Sequence, residues 1–162
     1  PAGYYLNLLS EIKKQKNNTT AYTAATTLII GLREILINMK ENGFRNLYSR
    51  TALRAKATRE ALSAIGMDIY PTTPANAMTT VYTEQSNEIR KILKTKYDVN
   101  IAGGQDHLKG KIFRINHMGL VEDSEASWAV NAIELALDEL GIRDYEGYAN
   151  KIFSQILFKG SK

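Results

Sequence analysis

The 162-residue chain contains no cysteine. No disulfide can therefore staple it, no thiol can serve as a nucleophile, and zinc sites built on cysteine ligands are closed to it. Its two histidines, His107 and His117, flank a predicted strand and have no carboxylate at metal-ligand spacing, so no metal is expected. Neither G-x-G-x-x-G nor G-x-S-x-G occurs, which removes the dinucleotide fingerprint and the nucleophile elbow. No charged-then-apolar leader opens the sequence, and no apolar run approaches the roughly 20 residues of a membrane span. The expectation is a soluble, cytoplasmic protein without a membrane partner.

The formal net charge of +4 is unevenly spread: residues 1–66 carry 10 basic and 4 acidic side chains, and residues 67–162 carry 11 and 13. Arg45, Arg50, Arg54, Lys56 and Arg59 fall within one predicted helix, where several on one face could neutralise phosphates. No recognised nucleic-acid motif accompanies them, and a charged run is usually a solvated face, so nucleic acid is not expected as a partner.

Periodicity organises the chain as helices, strand, helix, two strands, helices. Tyr5, Leu8, Leu9 and Ile12 predict a short helix from Tyr4 to Lys16. Leu28, Leu32, Ile35, Leu36 and Met39 form one apolar stripe that begins near Ala25 and stops at Asn42-Gly43. Leu53, Ala57, Ala61 and Ile65 mark a third helix from Phe44 to Ile65. After the break at Pro71 to Pro74, Met78–Thr83 has strand composition, and Ser86 is expected to cap a helix reaching about Tyr97. Val99–Ala102 and Lys111–Ile115 are predicted strands. Asp123 or Ser124 should cap a helix ending at Gly141, and Tyr145 to Phe158 is a final amphipathic segment. Few strands among many helices predict an α+β fold, with a small antiparallel or mixed sheet of about three strands covered by helices. Without an internal repeat or low-complexity linker, residues 1–162 read as a single domain, large enough to bury about 70% of its unfolded surface.

The segment Gly103 to Gly119 suggests a phosphate-binding loop through Gly104 and Gly110-Lys111, but the match fails. One residue too many separates the glycines, and Ile112 stands where a metal-binding hydroxyl is needed. The glycines more simply permit tight turns between two strands. Arg114 differs in kind. In the run Ile112-Phe113-Arg114-Ile115, alternation places it on the face of Ile112 and opposite Phe113 and Ile115. A guanidinium there stays charged and can grip a carboxylate in two parallel hydrogen bonds. The alternative is an ordinary edge-strand arginine paired with a local acid.

The stretch Gly103-Gly104-Gln105-x-x-Leu108-Lys109-Gly110-Lys111-Ile112-Phe113-Arg114-Ile115-x-His117-Met118-Gly119 closely resembles the C-terminal loop and strand of class V aminotransferases of the alanine-glyoxylate and serine-pyruvate type. Tyr5-Leu6-Asn7-Leu8, Thr20-Ala21-Tyr22-Thr23, Leu32-Arg33-Glu34 and the 43–65 helix follow in that family's order, so the resemblance runs from residue 4 to 140. It implies the C-terminal small domain of a fold-type I enzyme dependent on pyridoxal 5'-phosphate (PLP), a homodimer with its active site at the interface. The family's substrate-carboxylate arginine falls on Arg114. Thr20, Tyr22 and Thr23 match a segment that reaches across the dimer toward the cofactor phosphate. Ala24 and Asn116 depart from the family's usual proline and glycine.

The resemblance also implies that the large domain, with the Schiff-base lysine, its aspartate and the stacking aromatic ring, lies outside this sequence. Lys13 and Lys16 sit on a polar helix unsuited to that role, since a Schiff-base lysine needs desolvation. The chain would then hold no catalytic residue and be inactive alone. The parent enzyme would move an amino group between alanine or serine and a 2-oxo acid such as pyruvate or glyoxylate. A desulfurase or lyase of the same class is the nearest alternative. A non-catalytic interaction domain using the basic Arg45 to Arg59 helix is another.

Overall fold

The computed structural model describes residues 3–159 and divides into two compact units, one ending at Phe44 and the other beginning at Arg45. In the first, a 3₁₀ turn over Tyr4–Leu6 leads to α1 (Leu8–Gln15), followed by α2 (Thr26–Asn42). Asn7 caps α1 by accepting the Ser10 N–H at 3.0 Å. α2 occupies the span that its apolar stripe predicts, yet the stripe is uncovered: Leu28 is 74% exposed and Leu36 46%. No residue of α1 or α2 is buried.

The second unit carries the core. Nearly all of α3 (Phe44–Ala64) belongs to it, and β1 (Asp68–Ile69), β2 (Met78–Tyr82), α4 (Ser86–Lys96) and β3 (Ala102–Gly103) follow. A 3₁₀ turn at Asp106–Leu108 leads to β4 (Ile112–Asn116), and α5 (Asp123–Glu139) and α6 (Tyr148–Lys159) complete the chain. The sheet is antiparallel throughout, in the order β1-β2-β4-β3. The fold is thus α+β, with four strands where about three were expected. β1 escapes sequence reading because two residues show no alternation. β3 lies later than Val99–Ala102, because the Val99 N–H bonds the Leu93 carbonyl at 2.9 Å and the residue ends the turn out of α4 instead of entering the sheet.

Alternation along β2 and β4 decides what faces the helices. Val81 pairs with Phe113 and Thr79 with Ile115. Val81, Phe113 and Ile115 enter one apolar cluster with Ala57, Ala61 and Leu62 of α3, Ile89 and Leu93 of α4, Val130, Ile133 and Leu137 of α5, and Phe153 of α6. The small residues of α3 and α5 allow this close approach, and burying Phe113 or Phe153 alone is worth about 1.5–3 kcal/mol. Gly66 and Gly141, with φ of +85° and +65°, stop α3 and α5 in a conformation that costs other residues a Cβ clash.

The starts of three helices are set by bonds other than the expected ones. Ser86 lies in the first turn of α4, and its buried hydroxyl donates to the Ile112 carbonyl at 2.6 Å, tying the helix to β4. At α5 it is Glu125 that accepts the Glu122 N–H, at 2.7 Å, while Asp123 is drawn away to a buried arginine. α6 starts at Tyr148 and not Tyr145, because the fully buried Glu134 collects the N–H groups there. They come from Glu146 (3.4 Å), Tyr148 (3.1 Å) and Ala149 (2.9 Å). A carboxylate at a helix N-terminus satisfies otherwise orphaned donors and complements the dipole.

Glu134→Ala leaves those donors buried without an acceptor and is expected to lower unfolding stability by about 3 kcal/mol in urea titrations. Glu134→Gln, which keeps one acceptor oxygen, should cost less. An unchanged midpoint for Glu134→Ala would refute the role assigned to this carboxylate.

Candidate functional site

Arg114 lies on β4, which is flanked by β2 and β3, so it is a central-strand residue opposite Thr80 on one side and Ala102 on the other. As alternation requires, Phe113 and Ile115 face the apolar cluster and Arg114 does not. The side chain is half-buried. Its Nε–H donates to the Gly103 carbonyl at 3.0 Å, and among the described residues no acid pairs with it. The edge-strand, acid-paired alternative therefore does not hold. With Nε anchored, the two terminal nitrogens present the planar fork that suits a carboxylate.

The glycines of the preceding loop serve two ends: Gly110, with φ of +80°, makes the tight turn expected from the sequence, while Gly103 and Gly104 are required by space. Neither Gly103 nor Gly104 has a positive φ. A Cβ on Gly104 would lie 2.0 Å from the Leu108 carbonyl oxygen and 2.8 Å from Ile112 Cγ1; one on Gly103 would lie 2.5 Å from Arg90 Nη1. Arg90, on α4, donates from Nε to the Ile101 carbonyl at 3.1 Å. Nothing in the sequence of α4 singles out Arg90 among its basic neighbours, and sequence reasoning missed it.

Behind β4 lies a polar cluster. Arg54 of α3 is only 5% exposed. Its Nε and Nη2 bond Asp123 Oδ1 at 2.9 and 2.7 Å, and its Nη1 bonds the His117 carbonyl at 3.2 Å. Arg50 Nη2 reaches Asp123 Oδ2 at 3.2 Å. Burial alone would raise the Asp123 carboxyl, but hydrogen bonds and charge from Arg54 and Arg50 outweigh it and hold the group below its usual value. His117 is fully buried, shares a 2.8 Å hydrogen bond between Nε2 and Thr79 Oγ1, and has no partner at Nδ1. Burial, reinforced by the charges of Arg59 and Arg54, lowers it to about 4, so the ring is neutral. Arg59 itself bonds Ala75 O and Asn76 Oδ1. Three of the five basic residues once grouped as a phosphate face are thus occupied in holding this unit together.

Thr20, Tyr22 and Thr23 belong to the first unit, where they line a cleft of about 470 Å³ with Tyr5, Glu11 and Ile29; the lining holds no lysine or arginine. Thr20 donates its hydroxyl to the Tyr22 carbonyl at 2.5 Å, and Tyr22 donates its own to the Tyr4 carbonyl. The Tyr22 ring packs against Tyr4 and Tyr5, with centroids 5.1 Å away in each case. Glu11 secures the segment by accepting the Ala21 N–H at 2.9 Å. Thr23 is exposed and its hydroxyl has no partner among the described residues.

No protein-family profile matches the chain. It is 44% identical over 154 residues to an uncharacterized aminotransferase of Helicobacter pylori, covering 93% of this chain and 41% of that protein. It is 33% identical over 150 residues to the soluble hydrogenase 42 kDa subunit of Anabaena cylindrica, covering 90% and 39%. Serine–glyoxylate aminotransferase of Methylorubrum extorquens matches at 30% over 139 residues, covering 80% and 35%. Among solved structures, pyridoxamine-pyruvate aminotransferase from Mesorhizobium loti superposes with a TM-score of 0.80 over 86% of this chain and 37% of that one; at 24% identity this likeness speaks to the fold alone. The chain spans about two fifths of the length of the curated relatives it matches. Aminotransferases of the class V alanine/serine-glyoxylate type are among its homologues, matched over part of their length.

The neutral, buried His117 links stability to pH. Between the ordinary value of 6.5 and about 4 the unfolded chain binds a proton that the folded chain refuses. Stability should therefore fall as pH falls through that window, by about 3 kcal/mol in all. Asp123, held below its ordinary 3.8, adds a further loss at lower pH. Urea midpoints at pH 7, 5.5 and 4.5 should show the upper limb in the wild type and lose it in His117→Asn; equal slopes in both would refute the assignment.

Proposed function

We propose that residues 1–162 are the C-terminal small domain of a PLP-dependent class V aminotransferase, and that Arg114 binds the substrate carboxylate. The observation that carries this reading is the half-buried guanidinium of Arg114, fixed at Nε by the Gly103 carbonyl and left without an acidic partner. A guanidinium withdrawn from water is costly to leave unmatched, and the more deeply buried Arg54 has Asp123 beside it. A substrate carboxylate would complete Arg114 in the same way. The similarity to serine–glyoxylate aminotransferases supports a small amino acid, alanine or serine, as donor and pyruvate or glyoxylate as acceptor.

PLP would supply the electron sink for the chemistry. The donor set of the first unit fits a subsidiary role toward it. Thr23 has a free hydroxyl and Thr20 a hydroxyl bound only to a backbone carbonyl, both suited to phosphate oxygens. The Tyr22 hydroxyl is engaged with Tyr4, which makes the tyrosine a support for the segment. Among the described residues no cation lines this cleft, which accords with a principal cofactor site, including the lysine, on a large domain. The reading includes a homodimer in which the Thr20–Thr23 segment serves the partner's cofactor, and it sets the enzyme in the cytoplasm. The uncovered α1 and α2 surfaces accord with packing against a large domain or a second subunit.

In the complete enzyme, Arg114→Ala should reduce kcat/KM for carboxylate substrates by about 2–5 kcal/mol while leaving the visible absorbance of bound PLP in place. An unchanged kcat/KM would remove Arg114 from the site. The chain alone should bind no PLP and transfer no amino group, and separately expressed large domain should restore both.

A further inference from the structure

We infer that Arg90 positions Arg114 for carboxylate binding by fastening the edge strand on which Arg114 is anchored. The inference rests on the reading of Arg114 as the carboxylate clamp and adds a second arginine that need not touch substrate.

β3 is two residues long, lies at the edge of the sheet and, among the described residues, has β4 as its only ladder partner. So short an edge strand is weakly held by its own hydrogen bonds. Two arginines supplement them. Arg90 Nε bonds the Ile101 carbonyl at 3.1 Å, and Arg114 Nε bonds the Gly103 carbonyl at 3.0 Å. Carbonyls two residues apart in an extended segment point the same way, so both guanidiniums grip one side of the backbone. They arrive from opposite faces of the sheet. Gly103 pairs with Phe113, so a Cβ there would share the core-facing side, and it is on that side that the Arg90 guanidinium lies, with Nη1 2.5 Å and Cζ 2.9 Å from the built Cβ position. Arg114, one residue on from Phe113, stands on the other side.

Arg90 therefore meets the strand twice, by a hydrogen bond at Ile101 and by filling the space that a Cβ on Gly103 would take. Among the described residues no carboxylate pairs with Arg90, so its guanidinium is not placed there by an acid. The consequence falls on Arg114. Among the described residues its one side-chain hydrogen bond is to the Gly103 carbonyl, and the direction of its fork follows that oxygen. Loosening β3 leaves the arginine present but misaimed, and small misplacements of a binding group are costly.

The test uses the complete enzyme with four readouts: the dissociation constant of propionate as an unreactive carboxylate, KM and kcat for the amino donor, and the melting temperature. Arg90→Ala should weaken propionate and raise KM about ten-fold, the loss of one hydrogen bond to a charged group, with kcat little changed. Arg90→Lys, which can still reach the Ile101 carbonyl, should recover part of the loss. Gly103→Ala, which displaces the Arg90 guanidinium, should weaken binding without adding to Arg90→Ala. In an Arg114→Ala background, Arg90→Ala should have no further effect on kcat/KM. An undiminished ten-fold effect in that background, or normal propionate binding by Arg90→Ala, would overturn the inference while leaving the carboxylate role of Arg114 intact. Normal propionate binding by Arg114→Ala would instead overturn that role and the function of Arg90 with it. Should Arg90→Ala fail to fold, Arg90→Lys and Gly103→Ala carry the same comparison.

Discussion

A buried guanidinium must be paired, and the pairing of Arg54 sets much of the second unit. Its hydrogen bonds run to Asp123 at the start of α5 and to the His117 carbonyl just beyond β4. α3, β4 and α5 are therefore located with respect to one another by one side chain. Charge of this kind, once buried, is expensive to leave unmatched. That cost explains why Asp123 forgoes the capping role its position suggests, and why the neighbouring His117 stays neutral: shut away from water, a third cation beside Arg59 and Arg54 is disfavoured.

With β4 fixed at its far end by this cluster and at its near end by the Ser86 hydroxyl on the Ile112 carbonyl, the strand separates two tasks by simple alternation. Phe113 and Ile115 build the core; Arg114 turns away from it. The loop before the strand serves the same end. Gly104 lets the backbone pass against the Leu108 carbonyl, and Gly103 makes room for Arg90. A buried carboxylate, Glu134, does for α6 what Asp123 does for Arg54: it matches local polar groups across elements far apart in sequence. The core is apolar, but the docking of its outer elements is set by a few fully engaged charges.

Much of this was legible in the chain. The stripe Leu28 to Met39 marked α2, the fourfold steps from Leu53 to Ile65 marked α3, and the composition of Met78–Thr83 and Lys111–Ile115 marked the two long strands. Periodicity reports which face of an element is apolar and needs only local sequence. It could not find β1 or fix β3, since two residues carry no period, and it misjudged the starts of α5 and α6 because their first turns are met by Glu125 and Glu134 instead of by a local serine or aspartate. The apolar face of α2 shows the converse: the pattern is correct, and the face it marks is exposed.

For the candidate site, the sequence by itself determined that Arg114 would stand opposite Phe113 and Ile115, because successive side chains of a strand must point to opposite faces. It also carried the family likeness through Gly103–Gly119. What only the tertiary structure decided was the company each charged group keeps. Arg54 and Arg114 are the same residue type, yet one meets Asp123, 69 positions away, and the other meets a backbone carbonyl and, among the described residues, no acid. Pairing of charges depends on which elements the fold brings together, and local pattern holds no information about that.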